Sequence, residues 1–164
     1  MFCPAEKAVV PKDVVIVLDV SGSMEGEKFS QAQDATGYVL AHLNDGDRFD
    51  VIAFSTGTDS YGDGLRPAAE AASADDWVSG LAAGGSTNID LALAEAFDRA
   101  QAGRPTYVVF LTDGLPTEGV IDTPEILANL DDRASETVSI FAFGVGFDVD
   151  TFLLDTIARD HHGT

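Results

Sequence analysis

A run of five apolar residues, Val14–Leu18, stops abruptly at Asp19. Four of the five are β-branched, and a run this short and this apolar predicts a strand buried on both faces, as inside a parallel sheet. In an open α/β sheet, ligands bind just beyond the carboxyl ends of the strands. The residues that follow Leu18 therefore stand where a functional site is expected.

These residues form the pattern Asp-x-Ser-x-Ser, with side-chain oxygens on Asp19, Ser21 and Ser23. The alternate spacing lets one loop direct three oxygens at one point. Oxygen ligands suit a hard divalent cation such as Mg²⁺, Mn²⁺ or Ca²⁺. Ser, Gly and Asp are also common in turns and helix caps, so a plain strand-to-helix turn is the alternative for this stretch alone.

The rest of the chain alternates between helical periodicity and short apolar runs, which predicts an α/β fold with a mostly parallel sheet. The predicted helices cover about Glu27–Leu43, a short segment around Trp77, Asn88–Gln101, Thr123–Arg133 and Phe152–Ala158. The predicted strands after the first are Phe49–Ser55, a short edge strand near Tyr61, Tyr107–Leu111 and Val138–Val145. The expected helix starts are Ser73–Asp76, Thr123 as a cap before Pro124, and Asp150.

The chain is strongly acidic, with 28 Asp and Glu against nine Lys and Arg and a net charge of −19. Such a surface repels nucleic acids and anionic membranes. The acidic residues are scattered, Asp47 and Asp50 among them, as in proteins of salt-loving organisms; an acidic extracellular domain is the alternative. No apolar run approaches the roughly 18 residues that cross a bilayer, so direct membrane insertion is not expected.

The length of 164 residues fits a single domain. We expect this domain to span residues 11–164, with residues 1–10 as a lead-in from a longer parent protein. Another strand is due after the last helix, so we expect the final strand to be truncated. Cys3 has no partner for an internal disulfide and is interpreted as an incidental thiol or as one that pairs with a group outside this sequence.

Two further oxygen-bearing residues stand at corresponding positions in the predicted sheet. Asp113 ends the second apolar strand as Asp19 ends the first, and Thr87 follows a glycine-rich break. Taken singly, Asp113 fits a turn before Gly114, and Thr87 fits a capping box with Asp90. Together they predict one metal site on three loops at one edge of the sheet, formed by Asp19, Ser21, Ser23, Thr87 and Asp113.

Three segments carry a resemblance to a known family: Asp19–Met24, Gly84–Asn88 and Leu111–Gly114. They resemble the metal-ion-dependent adhesion site of von Willebrand factor type A domains, from Pro11 to the end of the chain. Within that family the chain looks most like the inter-alpha-trypsin inhibitor heavy chains and their prokaryotic relatives. That further likeness is carried by Pro11–Val15, Asp47–Phe49 and Tyr107–Thr117.

The resemblance implies a three-layer, dinucleotide-fold-like α/β domain, with helices on both faces of the sheet and a metal at its upper edge. Ser21 and Ser23 would bind Mg²⁺ directly, Thr87 directly or through water, and Asp19 and Asp113 largely through water. Mn²⁺ or Ca²⁺ is the alternative ion. In the family, a partner protein supplies an Asp or Glu carboxylate to the open metal position. Relatives in this branch usually carry another domain upstream.

An enzyme is the competing interpretation, because an Asp at the end of a first strand also serves phosphoryl transfer and hydrolysis. The nearest upstream acid, Asp13, lies about 20 Å back along the strand. No phosphate-binding loop or nucleophile elbow is present. The three histidines, which are expected at the surface, offer no poised base: His42, His161 and His162. The location is unassigned, with a cell surface or the extracellular space favoured over the cytoplasm of a salt-accumulating organism.

Overall fold

Strands and helices alternate along the chain in a computed structural model that describes residues 9–133, 135–147 and 149–163. Most of the predicted lead-in, including Cys3, lies outside these residues. The strands are β1 Asp13–Asp19, β2 Arg48–Phe54, β3 Thr58–Ser60, β4 Arg66–Pro67, β5 Thr106–Thr112 and β6 Val138–Gly144. The α-helices are α1 Glu27–Ala41, α2 Ala71–Ser79, α3 Ile89–Asp98, α4 Thr123–Arg133 and α5 Thr151–Asp160.

The strands form one sheet in the order β3-β2-β1-β5-β6, and β4 also pairs with β2. Strand β1 runs parallel to both of its neighbours, with Asp19 opposite Phe54 of β2 and Leu18 opposite Leu111 of β5. Strand β6 continues the parallel pairing beyond β5, whereas β3 and β4 are antiparallel to β2. All seven residues of β1 are buried, as the apolar run predicts.

Two hydrophobic cores lie on opposite faces of the sheet, so the fold has three layers. Alternate residues of β1 serve the two cores, because successive side chains in a strand point to opposite faces. Ile16 packs with residues of α1 and α2, and Val17 packs with residues of α3, α4 and α5. The predicted fold class is therefore confirmed. None of the helices in the described ranges is long and apolar enough to cross a membrane.

Ion pairs hold the amino-terminal edge of the sheet, opposite the candidate site. The buried Asp13 carboxylate accepts hydrogen bonds from Arg48 Nη2 at 2.7 Å and Arg104 Nε at 3.0 Å. Arg48 is the first residue of β2, and Arg104 lies just before β5. Asp13 of β1 therefore joins three strands at one end. Asp47 is buried against Lys12, and Asp50 against Arg99. The prediction that Asp47 and Asp50 belong to the acidic surface was wrong.

Two predicted helix starts differ from the structure. Helix α2 begins at Ala71, after a 3₁₀ turn, so Ser73–Asp76 lies inside the helix. Helix α4 begins at Thr123 itself, and Asp122 accepts the capping hydrogen bond from Glu125 N at 3.3 Å. The cap of α2 lies three residues before the predicted one and that of α4 one residue before, because local capping chemistry fits more than one register.

Two other local predictions concern a helix cap and the edge strand. Asp150 caps α5 as predicted, since it accepts from Leu153 N at 3.0 Å. The edge strand predicted near Tyr61 is β3, which ends one residue earlier. The side chains of Tyr61 and Phe49 stack with ring centroids 6.0 Å apart.

His161 is buried, with 4% of its surface exposed, although all three histidines were expected at the surface. Its ring packs edge-on against Phe97 at 5.4 Å between centroids, and its carbonyl accepts a hydrogen bond from Ile140 N at 3.0 Å. The residue therefore ties the end of α5 to β6. His42 and His162 are exposed, as predicted.

Replacing Asp13 by Asn is expected to lower the free energy of unfolding by about 2 kcal/mol or more, because two arginines lose their buried counter-charge. The matched variant Asp98→Asn removes a solvent-exposed pair with Arg133 and should cost less than about 0.5 kcal/mol. Urea unfolding followed by circular dichroism measures both values. Equal losses in the two variants would contradict the structural role of Asp13.

The stability of the chain should fall in mild acid through His161. Burial lowers the pKa of His161; the carboxylates of Asp131 and Asp160 oppose this shift, and His162 adds to it. Below about pH 6.5 the unfolded chain therefore binds a proton that the folded chain resists, so the free energy of unfolding decreases as pH falls. Urea titrations between pH 7.5 and 5 should show that the free energy of unfolding falls more steeply with decreasing pH in the parent than in His161→Gln. Parallel curves would refute this assignment.

Candidate metal centre

Three loops meet at the carboxyl-terminal edge of the sheet, and backbone hydrogen bonds hold them together. In the loop after β1, the carbonyl of Val20 accepts a hydrogen bond from Gly84 N at 2.7 Å, and Gly22 N donates to the carbonyl of Gly85 at 3.0 Å. Gly85 has φ +87° and lies against the side chains of Ser55 and Thr56, the residues after β2. A larger residue there would be strained, so the glycine-rich break allows this close approach.

Asp19 lies at the end of β1 and is fully buried. Its two carboxylate oxygens accept hydrogen bonds from Ser21 N at 2.7 Å and Thr112 Oγ1 at 2.5 Å. Burial raises the pKa of the Asp19 carboxyl, and the charge of Asp113 adds to this shift. The hydroxyls of Ser21 and Thr112 and the N–H of Ser21 partly offset it. Desolvation therefore destabilises the ionised side chain more than its present hydrogen bonds stabilise it.

The other acid and the two serines form a connected row. Ser21 Oγ lies 3.1 Å from Ser23 Oγ, and Ser23 Oγ donates to Asp113 Oδ1 at 2.7 Å. Lys28 Nζ donates to the second oxygen of Asp113 at 2.6 Å. Ser21 and Asp113, at the two ends of this row, are buried, whereas Ser23 between them is exposed.

Thr87 is held by the loop that follows β5. Its N–H donates to Thr117 Oγ1 at 2.9 Å, and its carbonyl accepts from Thr117 N at 2.9 Å and Glu118 N at 3.1 Å. The cap of α3 is Asn88, which accepts from Leu91 N at 3.2 Å. Thr87 is thus not the capping residue of that helix, and the capping-box alternative does not hold.

Gly114 marks a cradle between the loops. A Cβ atom placed on Gly114 would lie 3.8 Å from Ser23 Oγ and 3.9 Å from Thr87 Oγ1. A side chain there would extend into the space between the two hydroxyls. Thr87 Oγ1 therefore lies close to Ser23, which links Ser21 with Asp113. All five predicted residues thus lie at the carboxyl-terminal edge of the sheet.

The pairing of buried carboxylates distinguishes Asp19. Of the five buried aspartates in the described ranges, four form an ion pair with Lys or Arg: Asp13, Asp47, Asp50 and Asp113. For Asp19, the contacts that the structure gives are hydrogen bonds from a backbone N–H and a hydroxyl. A buried carboxylate without a counter-cation is costly. A bound cation beside Ser21 would remove that cost.

The donor set fits a small, hard cation. Two carboxylates and three hydroxyls supply oxygen ligands only, which Mg²⁺, Mn²⁺ and Ca²⁺ prefer. Across the described residues no group of three His, Cys, Asp or Glu side chains could hold a metal ion. A site of this composition therefore depends on its hydroxyls and on water molecules to complete the coordination shell.

Sequence reasoning did not assign roles to Thr112, Thr117 and Lys28, which support the site. The signal for Thr112 was available, since it directly precedes Asp113 at the end of β5. Lys28 is the second residue of α1, and only the approach of α1 to the loop after β5 reveals its partner. Thr117 contacts Thr87 across a gap of 30 residues, which local patterns do not indicate.

A comparison with protein families identifies the class of domain. The family model of the von Willebrand factor type A domain matches residues 13–164. The chain therefore belongs to the von Willebrand factor type A family, whose members commonly act as metal-dependent adhesion or protein-interaction modules and bind a divalent metal at their metal-ion-dependent adhesion site. The predicted family is confirmed.

Curated relatives point to a particular branch of the family. Inter-alpha-trypsin inhibitor heavy chain H1 of Bos taurus is 32% identical to this chain, and heavy chain H4 of Homo sapiens is 34% identical. Each alignment covers 99% of this chain but 19% of the relative. The chain thus spans about a fifth of the length of these relatives, so their likeness concerns one domain.

Solved structures share the fold. A von Willebrand factor type A structure from Catenulispora acidiphila is 30% identical, with a TM-score of 0.84, and the match covers 94% of this chain and 38% of that one. Proximal thread matrix protein 1 from mussel byssus, in a structure with a zinc-occupied metal-ion-dependent adhesion motif, has a TM-score of 0.72 at 21% identity. That match covers 91% of this chain and 39% of the other.

The unpaired charge of Asp19 leads to an expectation about stability without metal. In a chelating buffer, Asp19→Asn should have a free energy of unfolding equal to or above that of the parent, because a buried charge is removed while the shape is kept. Addition of Mg²⁺ should then stabilise the parent and leave the variant unchanged. Urea unfolding in both buffers measures this. A marked loss of stability in this variant in the chelating buffer would show that the Asp19 charge is already compensated without metal.

Proposed function

We propose that this domain is a metal-dependent protein-interaction module. Asp19, Ser21, Ser23, Thr87 and Asp113 would hold one divalent cation, with Mg²⁺ as the first choice and Mn²⁺ or Ca²⁺ as alternatives. When bound, the cation would supply a coordination position for an Asp or Glu carboxylate of a partner protein. The chain's own residues position the ion, support it and exclude water from the buried side.

The observation that carries this proposal is the environment of Asp19. A fully buried carboxylate lies beside a row of hydroxyls, and the contacts that the structure gives it in the described ranges include no Lys or Arg side chain. Of the five proposed ligands, the three hydroxyls add no negative charge, and Asp113 is paired with Lys28, so a bound divalent ion keeps its attraction for another anion. Mg²⁺ also retains water ligands readily, which an incoming carboxylate can replace.

Exposed apolar side chains close to the site support a protein partner. Leu115 is 56% exposed two residues after Asp113, and Phe147 is fully exposed next to Gly146. A Cβ atom on Gly146 would lie 3.1 Å from Cε of Lys28, so this loop borders the site. Large apolar groups at the surface often mark interaction sites. The net charge of −19 disfavours nucleic acids and anionic membranes as partners.

The competing enzyme would use Asp19 as a nucleophile or base. Both of its oxygens already accept hydrogen bonds, and the side chain is fully buried. His161 is packed against Phe97, and His42 stacks on Tyr38 in α1. These contacts favour a binding module, in line with the typically non-enzymatic members of the family.

Calorimetric titration of Mn²⁺ in molar potassium chloride tests the proposed site. We expect saturable binding of one ion, lost in Asp19→Ala and in Ser21→Ala because each removes an oxygen from the cradle. Ser30→Ala, at an exposed position of α1, serves as the matched control and should bind like the parent. Unchanged binding in both site variants would refute the assignment of the ligands.

A phosphatase assay with p-nitrophenyl phosphate separates the two functions. The binding-module proposal predicts no turnover above that of the Asp19→Ala variant, with or without Mn²⁺. Turnover that is present in the parent and lost in Asp19→Ala would favour the enzyme instead.

A further inference from the structure

Lys28 brings a positive charge to the candidate metal centre. Its Nζ donates to Asp113 Oδ2 at 2.6 Å and to the carbonyl of Ser23 at 3.2 Å. The side chain remains 37% exposed, whereas that of Asp113 is 1% exposed. The ammonium group therefore lies between the buried acid and solvent, on the side from which a partner would approach.

The position of Lys28 is set by two neighbouring loops. It lies in the first turn of α1, directly after the loop that carries both serines, and its stem passes beside Gly146 after β6. Ser23 Oγ occupies the other oxygen of Asp113 at 2.7 Å. Lys28 can therefore keep its ion pair with Asp113 while the serine hydroxyls and Asp19 bind the divalent cation.

The charge balance of the site depends on this residue. The carboxylates of Asp19 and Asp113 and the ammonium group of Lys28 together carry one net negative charge. A divalent cation would change this to one net positive charge. Without Lys28 the metal-loaded site would be neutral. The chain around the site has a net charge of −19, which repels an incoming carboxylate.

From these contacts we propose that Lys28 is a specificity-determining residue of the metal centre, which weakens binding of the divalent cation and strengthens binding of a carboxylate to the loaded site. The inference rests on the proposed function, since it requires the ion to bind at these residues. The ammonium group of Lys28 repels the divalent cation and attracts the partner's carboxylate. Removing its charge should therefore raise the affinity for the cation and lower the affinity for the carboxylate. A purely structural role for Lys28 would change both in the same direction.

The test uses Lys28→Gln and Lys28→Met as neutral variants and Lys28→Arg as the variant that keeps the charge. Lys12→Gln is the matched control, because it removes a lysine paired with a buried aspartate at the opposite edge of the sheet. Mn²⁺ affinity is measured by calorimetry. Acetate is then titrated into each Mn²⁺-saturated protein, and the relaxation rate of water protons reports displacement of metal-bound water.

In the neutral variants we expect Mn²⁺ to bind about fivefold to tenfold more tightly, and acetate to bind about threefold or more weakly, at low ionic strength. Both changes should shrink in molar salt, and Lys28→Arg and Lys12→Gln should match the parent. Unchanged affinities, or a loss of both, would overturn the role of Lys28 while leaving the proposed function intact. Failure of the parent to bind Mn²⁺ would instead overturn the proposed function, and this inference with it.

Discussion

The parallel pairing of β1 with β2 on one side and β5 on the other is the constraint on which the rest of the structure depends. Because the three strands run in the same direction, their carboxyl ends reach one edge together. Asp19 and Asp113 follow neighbouring strands at that edge, and the glycine-rich loop before α3 is drawn in by hydrogen bonds to the loop after β1. Distant parts of the chain thus meet at one edge of the sheet.

Charge compensation organises the two edges of this sheet differently. In a chain with so few basic residues, each of the eight lysines and arginines in the described ranges takes part in an ion pair. At the amino-terminal edge, Asp13 uses two arginines to join three strands. At the other edge Asp113 has Lys28, and Asp19 has hydrogen bonds alone. The first edge is held by ion pairs, whereas the second leaves the charge of Asp19 without one, and in the proposed function a bound cation would compensate that charge.

Apolar runs and side-chain periodicity predicted the α/β class, the mostly parallel sheet and the edge at which the site lies, because burial dictates those patterns. The three layers were implied by the family resemblance. The Asp-x-Ser-x-Ser spacing and the strand ends likewise indicated the five site residues. Contacts that depend on tertiary approach were not predictable: Lys28 with Asp113, and Thr117 with Thr87. The burial of Asp47, Asp50 and His161 was missed for the same reason, since a polar residue is buried only when the fold supplies its partner. The salt-loving source, the lead-in and the truncated strand stay predictions.

The central claim is that three loops hold one divalent ion beside Asp19. It is tested most directly by anomalous diffraction from crystals of the chain grown with Mn²⁺. The account predicts a single strong anomalous peak between the loops, within ligand distance of the hydroxyls of Ser21 and Ser23. A peak only elsewhere on the acidic surface, with Asp19 and its neighbours arranged as they are here, would contradict it.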